Sequence, residues 1–506
     1  MLRVIIIKPS KYGRTGHVER FRRGFMPNST VPYIRSMTPA LIDGIAIETY
    51  AIDEYVQTDL KYLDLLRNPE KPTLVAMVGV QSHQFQRALD IAAFARANNV
   101  DHCVIGGPHP MTCDTTILQN RGVSFALAEA EVVWHQILRD AIKGELQPVY
   151  GEQARWAEQV HAPVLVPPSK RDMARYIVPM LGIYPARGCP FTCNFCSVIK
   201  IARRQIRNQS LETTMESLRR AKAAGVRMVM FTSDNFNKYS EAKELLEQII
   251  AEGIRLPFFV QCDAQVANQE ELIALLGRAG CFEMFIGVES FSRKTLLAAH
   301  KTHNRPSTYR EIVRLCRVHS IISHFSNIIG FPEDTTSSIR SNLNELRELA
   351  PDAASFYVLT PIPGTEQYDE FLAAGIITET NLDRFDATSP TWNHPNLEPS
   401  ELQDLLFSCY RDFYSPSQIC KTALRNARFS SISSTLFLGQ PLFSRFSALR
   451  KTHPMSGGVS RVNRDSVEDY RELRRQRFGI DRVPLPRSLG LSEADAKLNR
   501  RMKISI

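Results

Sequence analysis

Ala186-Arg187-Gly188-Cys189-Pro190-Phe191-Thr192-Cys193-Asn194-Phe195-Cys196 brings three thiols within eight residues, directly after a short apolar run at Leu181–Pro185 that reads as a strand. Thiolates are soft ligands, suited to iron–sulfur clusters or to zinc. A structural zinc site normally takes four protein ligands, usually as two separated pairs. No fourth Cys or His lies in this loop, and the next cysteine in sequence is Cys262. Three thiolates satisfy three irons of a cubane cluster and leave the fourth iron open to bind and activate a substrate. Cys189, Cys193 and Cys196 are therefore read as ligands of a [4Fe–4S] cluster, with a zinc or structural site as the alternative.

Downstream of this loop the pattern is the most regular in the chain. Further strands are expected at Arg227–Phe231, Phe258–Gln261, Glu283–Gly287, Ser323–Ile329 and Ala354–Leu359. Helical spacing separates them, at about Leu211–Ala224, Glu241–Glu252, Gln269–Ala279, Ser307–His319 and Thr335–Leu349. Six βα units with right-handed crossovers give a (β/α)6 partial barrel over residues 181–375, with its chemistry at the C-terminal strand ends. Upstream, residues 1–150 also alternate. Arg3–Ile7, Ile45–Ile52, Thr73–Val80 and Cys103–Ile105 read as strands, the third almost continuously apolar, and Gln86–Asn98 and Val132–Ile142 as helices. Such alternation implies a doubly wound parallel sheet that binds ligands at its carboxyl strand ends. Residues 151–180, interrupted by Pro163, Pro167 and Pro168, read as a linker, and 376–420 as an α-rich connecting segment.

The whole chain of 506 residues is long enough for two main cores and an appendage. Its 43% hydrophobic and 23% charged residues are ordinary for a globular protein. No apolar run reaches the ~18–20 residues that span a bilayer. The four apolar residues Val4–Ile7 are too few for a signal peptide, so a cytosolic protein is expected. Seven of the ten cysteines are scattered singly and read as small buried residues. Residues 421–506 hold eighteen Lys/Arg against seven Asp/Glu, so that stretch carries +11 of a total of +9 and the body sums to −2. This C-terminal tail is read as a solvated, partly disordered extension with an amphipathic segment near Val467–Phe478. Binding of a nucleic acid such as RNA, or of a membrane surface, through it is the less favoured alternative.

The cysteine loop, C-x3-C-x2-C after a strand and ahead of five more βα units, resembles that of the radical S-adenosylmethionine superfamily. The resemblance extends over about 195 residues through the strand-end motifs Phe231-Thr232-Ser233-Asp234-Asn235-Phe236, Phe285-Ile286-Gly287-Val288-Glu289-Ser290, Ile329-Gly330-Phe331-Pro332-Glu333-Asp334-Thr335 and Thr360-Pro361-Ile362-Pro363-Gly364-Thr365. It implies that S-adenosylmethionine binds the open iron and is cleaved to a 5′-deoxyadenosyl radical. It further implies that Phe195 lies near the adenine, that Asp234 and Asn235 stand where the family contacts the methionyl amine, and that Glu289 or Ser290 meets the ribose or methionyl group. The usual Gly-Gly-Glu after the second strand is absent, and Asp234-Asn235 resembles the Asp-Asn version familiar among cobalamin-type members. Read as structure alone, these residues are helix caps with satisfied carboxylates.

Gly106-Gly107-Pro108-His109-Pro110, with Asp53-Glu54 upstream, resembles the Rossmann-like cobalamin-binding-like domain that precedes many such barrels. The glycines would let backbone approach a bulky ligand, and His109 is a candidate contact. No Asp-x-His-x-x-Gly run, the signature of a lower axial histidine, exists here; relatives without it either hold cobalamin with no histidine ligand or keep only the fold. The expected activity is radical functionalisation of an unactivated carbon of a small-molecule or natural-product substrate, with methyl transfer if cobalamin is bound. Alternatives are cobalamin-free cyclisation, rearrangement or oxidation, radical modification of RNA or protein, and a non-enzymatic metal scaffold. An electron donor such as flavodoxin or ferredoxin is implied. Cys262 and Cys281 are candidate hydrogen donors, and both also read as buried core residues.

Overall fold

The computed structural model describes residues 1–506 except 159, 161, 427–430, 455–457, 492–494 and 497–506, and gives no side-chain placement for 426 and 431–438. Its strands are β1 (Leu2–Lys8), β2 (Phe21–Gly24), β3 (Leu41–Ile42), β4 (Ile45–Asp53), β5 (Thr73–Met77), β6 (His102–Gly106), β7 (Ser124–Ala126), β8 (Val149–Tyr150), β9 (Met180–Ile183), β10 (Ala186–Arg187), β11 (Arg207–Asn208), β12 (Met228–Phe231), β13 (Phe258–Asp263), β14 (Cys281–Glu289), β15 (Ile322–Ile329), β16 (Ala353–Val358) and β17 (Gly458–Arg461).

The first sheet runs in the order β3-β4-β1-β5-β6-β7-β8 and is parallel except for the β3–β4 hairpin. β1 is hydrophobic on both faces because both are covered. Val4 and Ile6 join the core cluster that continues into the barrel, while Ile5 and Ile7 join the one under the helix Ser82–Ala97 and the C-terminal residues Phe478 and Val483. The chain leaves β1 first for β4 on one side and then for β5 on the other. Ligands in doubly wound sheets bind at such a reversal, outside the carboxyl strand ends. The second sheet, β16-β15-β14-β13-β12-β9, is parallel throughout and forms the expected partial barrel. Helices Leu211–Ala223, Ala242–Ala251, Glu270–Ala279, Tyr309–Val318 and Thr336–Leu349 return the chain between its strands.

Residues 376–398 carry only a 3-10 turn at Leu382–Arg384, so the helical part begins later than expected, with Pro399–Phe413. The reading of the basic tail as a solvated extension is overturned for its described residues. β17 pairs antiparallel with β2. Asp465 forms ion pairs with Arg20 and, at 3.2 Å, with Arg87; Glu54 meets the same two arginines at 2.5 and 2.6 Å. Arg474, on the helix Arg471–Phe478, reaches Asp90 at 2.6 Å and is fully buried. Buried charges of this kind require partners, and here the partners lie at opposite ends of the sequence. No helix among the described residues is long and apolar enough to cross a membrane.

Candidate active site

The cysteine loop leaves the barrel through β10, turns at Gly188, and returns through the helix Val198–Ala202 to β11, which pairs with β10. Gly188 has φ +104°, and a Cβ there would lie 2.3 Å from the carbonyl oxygen of Gln205, so only glycine fits this turn. Its amide donates to Asp234 Oδ2 at 2.8 Å, and the amide of Cys189 donates to the carbonyl of Arg203 at 3.1 Å. Asn194 is held from two further directions: its amide donates to Ala299, and its carbonyl accepts from Gln367. Phe191 stacks on His303 with centroids 3.4 Å apart.

Burial pushes all three thiols up, Cys193 to about 11, and Cys193 and Cys196 each sense the charge of neighbouring thiols in the set. Among the described residues no three His, Cys, Asp or Glu side chains converge on one point as ligands of a single ion would. A donor set of three soft thiolates with no fourth protein donor fits a cubane cluster, which takes one thiolate at each of three corners. Lys301, invisible in the sequence reading, is the nearby cation: it lowers the pKa of each of the three cysteines. Its Nζ donates to Glu289 Oε1 at 3.1 Å, and Glu289 Oε2 accepts from Ser326 Oγ at 3.2 Å. Glu289 itself has φ +62°, an uncommon conformation for a residue with a long side chain, at a point where the β14–β15 register shifts. Backbone strain of this kind concentrates at functional sites.

Between the two sheets lies a cavity of about 1040 Å³, counting the part open to solvent. Its floor is the carboxyl ends of β5, β6 and β7, where Gly79, Gly106, Ala126 and Ala128 keep side chains out of the way. Opposite stand Tyr184, Arg187, Thr232 and Asp234 of the barrel mouth. Arg187 bridges the two sheets: it meets Glu131 at 2.8 Å and Glu129 at 3.4 Å and lies over the rings of Tyr33 and Tyr184. Arg207 donates to both oxygens of Glu129 at 2.7 Å.

The expected site residues are thus partly assembled. Asn235 Nδ2 lies 4.0 Å from Cys189 Sγ and 2.8 Å from Asp263 Oδ2. Asp234 faces the cavity, with one oxygen committed to the cysteine loop. Gly106 and Gly107 line the cavity, but the missing Cβ of Gly107 is required by protein rather than by ligand, since it would lie 2.2 Å from the amide nitrogen of Val80. His109 does not line the cavity. It is buried against Phe85 and Ser82, and burial pushes it down to about 3. Ser290 Oγ accepts from the amide of Ser292, and Phe195 packs edge-on to Phe331. Thr335, not Asp334, caps its helix, while Asp334 accepts from the amides of Gly330 and Phe331. Cys262 and Cys281 face the helices in the barrel core, away from the cavity, as expected of buried core residues. Six of the seven scattered cysteines are buried, and Cys420 is exposed.

Residues 183–346 match the radical SAM superfamily. The chain is 25% identical over 328 residues to bacteriochlorophyllide d C-12(1)-methyltransferase of Chlorobaculum tepidum, covering 63% of this chain and 70% of that protein. It is 24% identical over 400 residues to the bacteriochlorophyllide d C-8(2)-methyltransferase of the same organism, covering 75% and 87%. Its fold is like that of the radical S-adenosylmethionine methyltransferase TsrM from Kitasatospora setae, solved with cobalamin and a [4Fe–4S] cluster bound, at a TM-score of 0.64 and 16% identity over 88% of this chain and 99% of that one. The cysteine loop and most of the parallel barrel that carries it thus lie within the stretch, residues 183–346, that matches the radical SAM superfamily, whose members use a [4Fe–4S] cluster and S-adenosylmethionine.

Proposed function

We propose that this enzyme transfers a methyl group to an unactivated carbon of a small molecule, using cobalamin held between its two sheets. The observation that carries the reading is the cavity itself. Its floor of glycine and alanine at three carboxyl strand ends suits the flat face of a macrocycle, and it opens on the barrel mouth beside the cysteine loop. The methyltransferase relatives point the same way.

In this reading Cys189, Cys193 and Cys196 hold three irons and leave one free. When bound, the cluster and S-adenosylmethionine supply a carbon-centred radical, and cobalamin supplies the methyl group. The chain's own residues bind and position. Asp234 fixes the turn at Gly188 and so the direction of the first thiol. Asn235 and Asp263 lock the end of β13 beside it. Lys301 sets a positive charge next to three thiolates and is steadied by Glu289. Arg187, paired with Glu129 and Glu131 and lying over two tyrosines, sets a fixed cation where the cavity meets the barrel mouth. Reduction by a small electron carrier such as flavodoxin or ferredoxin completes the reading.

The test is anaerobic reconstitution with iron, sulfide and hydroxocobalamin, followed by EPR of the reduced protein and an absorption spectrum. A reduced-cluster signal that shifts with S-adenosylmethionine and disappears in Cys193→Ala, together with one corrinoid per chain, supports methyl transfer. An intact cluster with no retained corrinoid points instead to cobalamin-free radical chemistry, and stoichiometric zinc without a cluster signal overturns the cluster assignment.

A further inference from the structure

A second and larger cavity, about 1570 Å³ with its solvent-open part included, fills the lower lumen of the barrel, on the side away from the cysteine loop. Its wall is mostly apolar: Met180, Met230, Phe259 and Phe285 point inward from four strands. The lower mouth is covered by Phe25 and Phe443, which stack with centroids 5.7 Å apart. One comes from the segment after β2 and the other from the helix Ser431–Leu449, so the two ends of the chain close it.

Besides Arg23, which donates to the carbonyl of Tyr176 at 3.3 Å, and the side chains of Tyr357 and Gln440, this space is bordered by a polar array that spans three strands. On β14, β15 and β16 a buried line of side chains runs Glu283, His324, Ser355. His324 Nδ1 lies 2.5 Å from Glu283 Oε1, and His324 Nε2 lies 2.8 Å from Ser355 Oγ. Both imidazole nitrogens are thereby used, and the geometry fixes the Glu283 carboxylate at the cavity wall with Oε2 making no hydrogen bond among the described residues. The side chain of Gln261, on β13, also lines the cavity without a hydrogen-bond partner among the described residues. A carboxylate oxygen kept in an apolar chamber is costly unless something meets it. Gln261 stands two residues below Asp263, whose carboxylate holds Asn235 beside Cys189. At strand rise Gln261 lies about 7 Å below Asp263 along β13, and Asn235 stands between Asp263 and Cys189.

We propose that the lower lumen is the substrate chamber, and that its occupant is an apolar molecule bearing one nitrogen donor, an ammonium or a ring N–H, which meets Glu283 and Gln261. The inference rests on the radical reading above and adds to it the class of substrate and the two residues that select it. The apolar body fills the chamber from below, the nitrogen is anchored at mid-barrel, and the far end reaches the cluster loop.

Binding tests this apart from turnover. The reconstituted full chain is titrated by fluorescence with 2-(aminomethyl)naphthalene and with 2-ethylnaphthalene, which has the same bulk without the amine. The amine should bind about tenfold tighter, as a charge-assisted hydrogen bond predicts. Glu283→Gln, which still accepts from His324, should bring the two affinities together; Gln261→Leu should narrow the gap in the same direction. Phe259→Trp, which fills the chamber, should weaken both probes. Equal affinities in the unaltered protein, an amine preference that survives Glu283→Gln, or binding untouched by Phe259→Trp would each overturn the proposal, as would no binding of either probe. Cluster EPR and the thermal midpoint of each variant report separately on the radical site and on folding.

Discussion

At the scale of single residues, the cysteine loop depends on groups that contribute no chemistry of their own. Gly107 is such a case on the other side of the cavity. Its φ is +132°, and a methyl group at its Cα would come within 2.2 Å of the Val80 nitrogen, which leaves no room for a side chain. Gly107→Ala should therefore lower the unfolding free energy by about 2 kcal/mol or more, read from the denaturant midpoint, because both the backbone conformation and the β5–β6 crossing must change. The three thiols were legible in the sequence because their spacing is local. Lys301 was not, nor was the Glu283–His324–Ser355 line. A lysine twelve residues after Glu289 carries no local signal, and the three members of the line meet only because parallel strands bring positions 283, 324 and 355 side by side. His109 failed as a ligand candidate for the opposite reason: its neighbours made a motif, but its ring turned to Phe85.

At the scale of elements, the six barrel strands stand within two residues of where the apolar runs placed them. Parallel strands covered on both faces read as unbroken hydrophobic stretches, which is why periodicity found them. β7 and β8, with three and two residues, are too short to leave such a trace, as are the helices Arg293–Ala298 and Glu366–Ala373. The 3-10 turn Leu382–Arg384 is equally silent in sequence, yet it packs on the helix Ser82–Ala97 and carries a titratable liability. Burial pushes the Asp383 carboxyl up to about 7, Asp90 adds to this, and its Oδ1 finds no partner among the described residues. A folded-state pKa above the unfolded value means that the folded state holds the proton more tightly. Stability should therefore be highest below about pH 4 as far as this group is concerned, and should fall as pH rises towards 7. Asp383→Asn should remove that fall and raise the thermal midpoint at pH 8, by the equivalent of up to about 4 kcal/mol. Unchanged midpoints at pH 8 would show that the carboxyl is relieved by water.

At the scale of the whole molecule, the N-terminal sheet and the C-terminal residues form one charged interior. Counting charges showed that the tail is basic, but could not show that its Asp465 and Arg474 are internal counter-ions, since their partners lie 445 and 384 residues away. Arg474→Met keeps the bulk and leaves Asp90 with one fewer cation in a buried setting. It should cost about 3 kcal/mol, visible as a lower urea midpoint, and Asp90→Asn in the same chain should recover part of it. The arrangement also has a consequence for synthesis. The first sheet leaves the ribosome hundreds of residues before the groups that neutralise it, so Arg20 and Arg87 must share Glu54 alone until Asp465 follows. An under-neutralised interior stays wet, and the wall of the lower lumen contributed by Phe443 and Val459 is missing for the same interval. The nascent chain therefore passes through a stage in which the lower lumen is open, and closes it only once Phe443 and Val459 have followed.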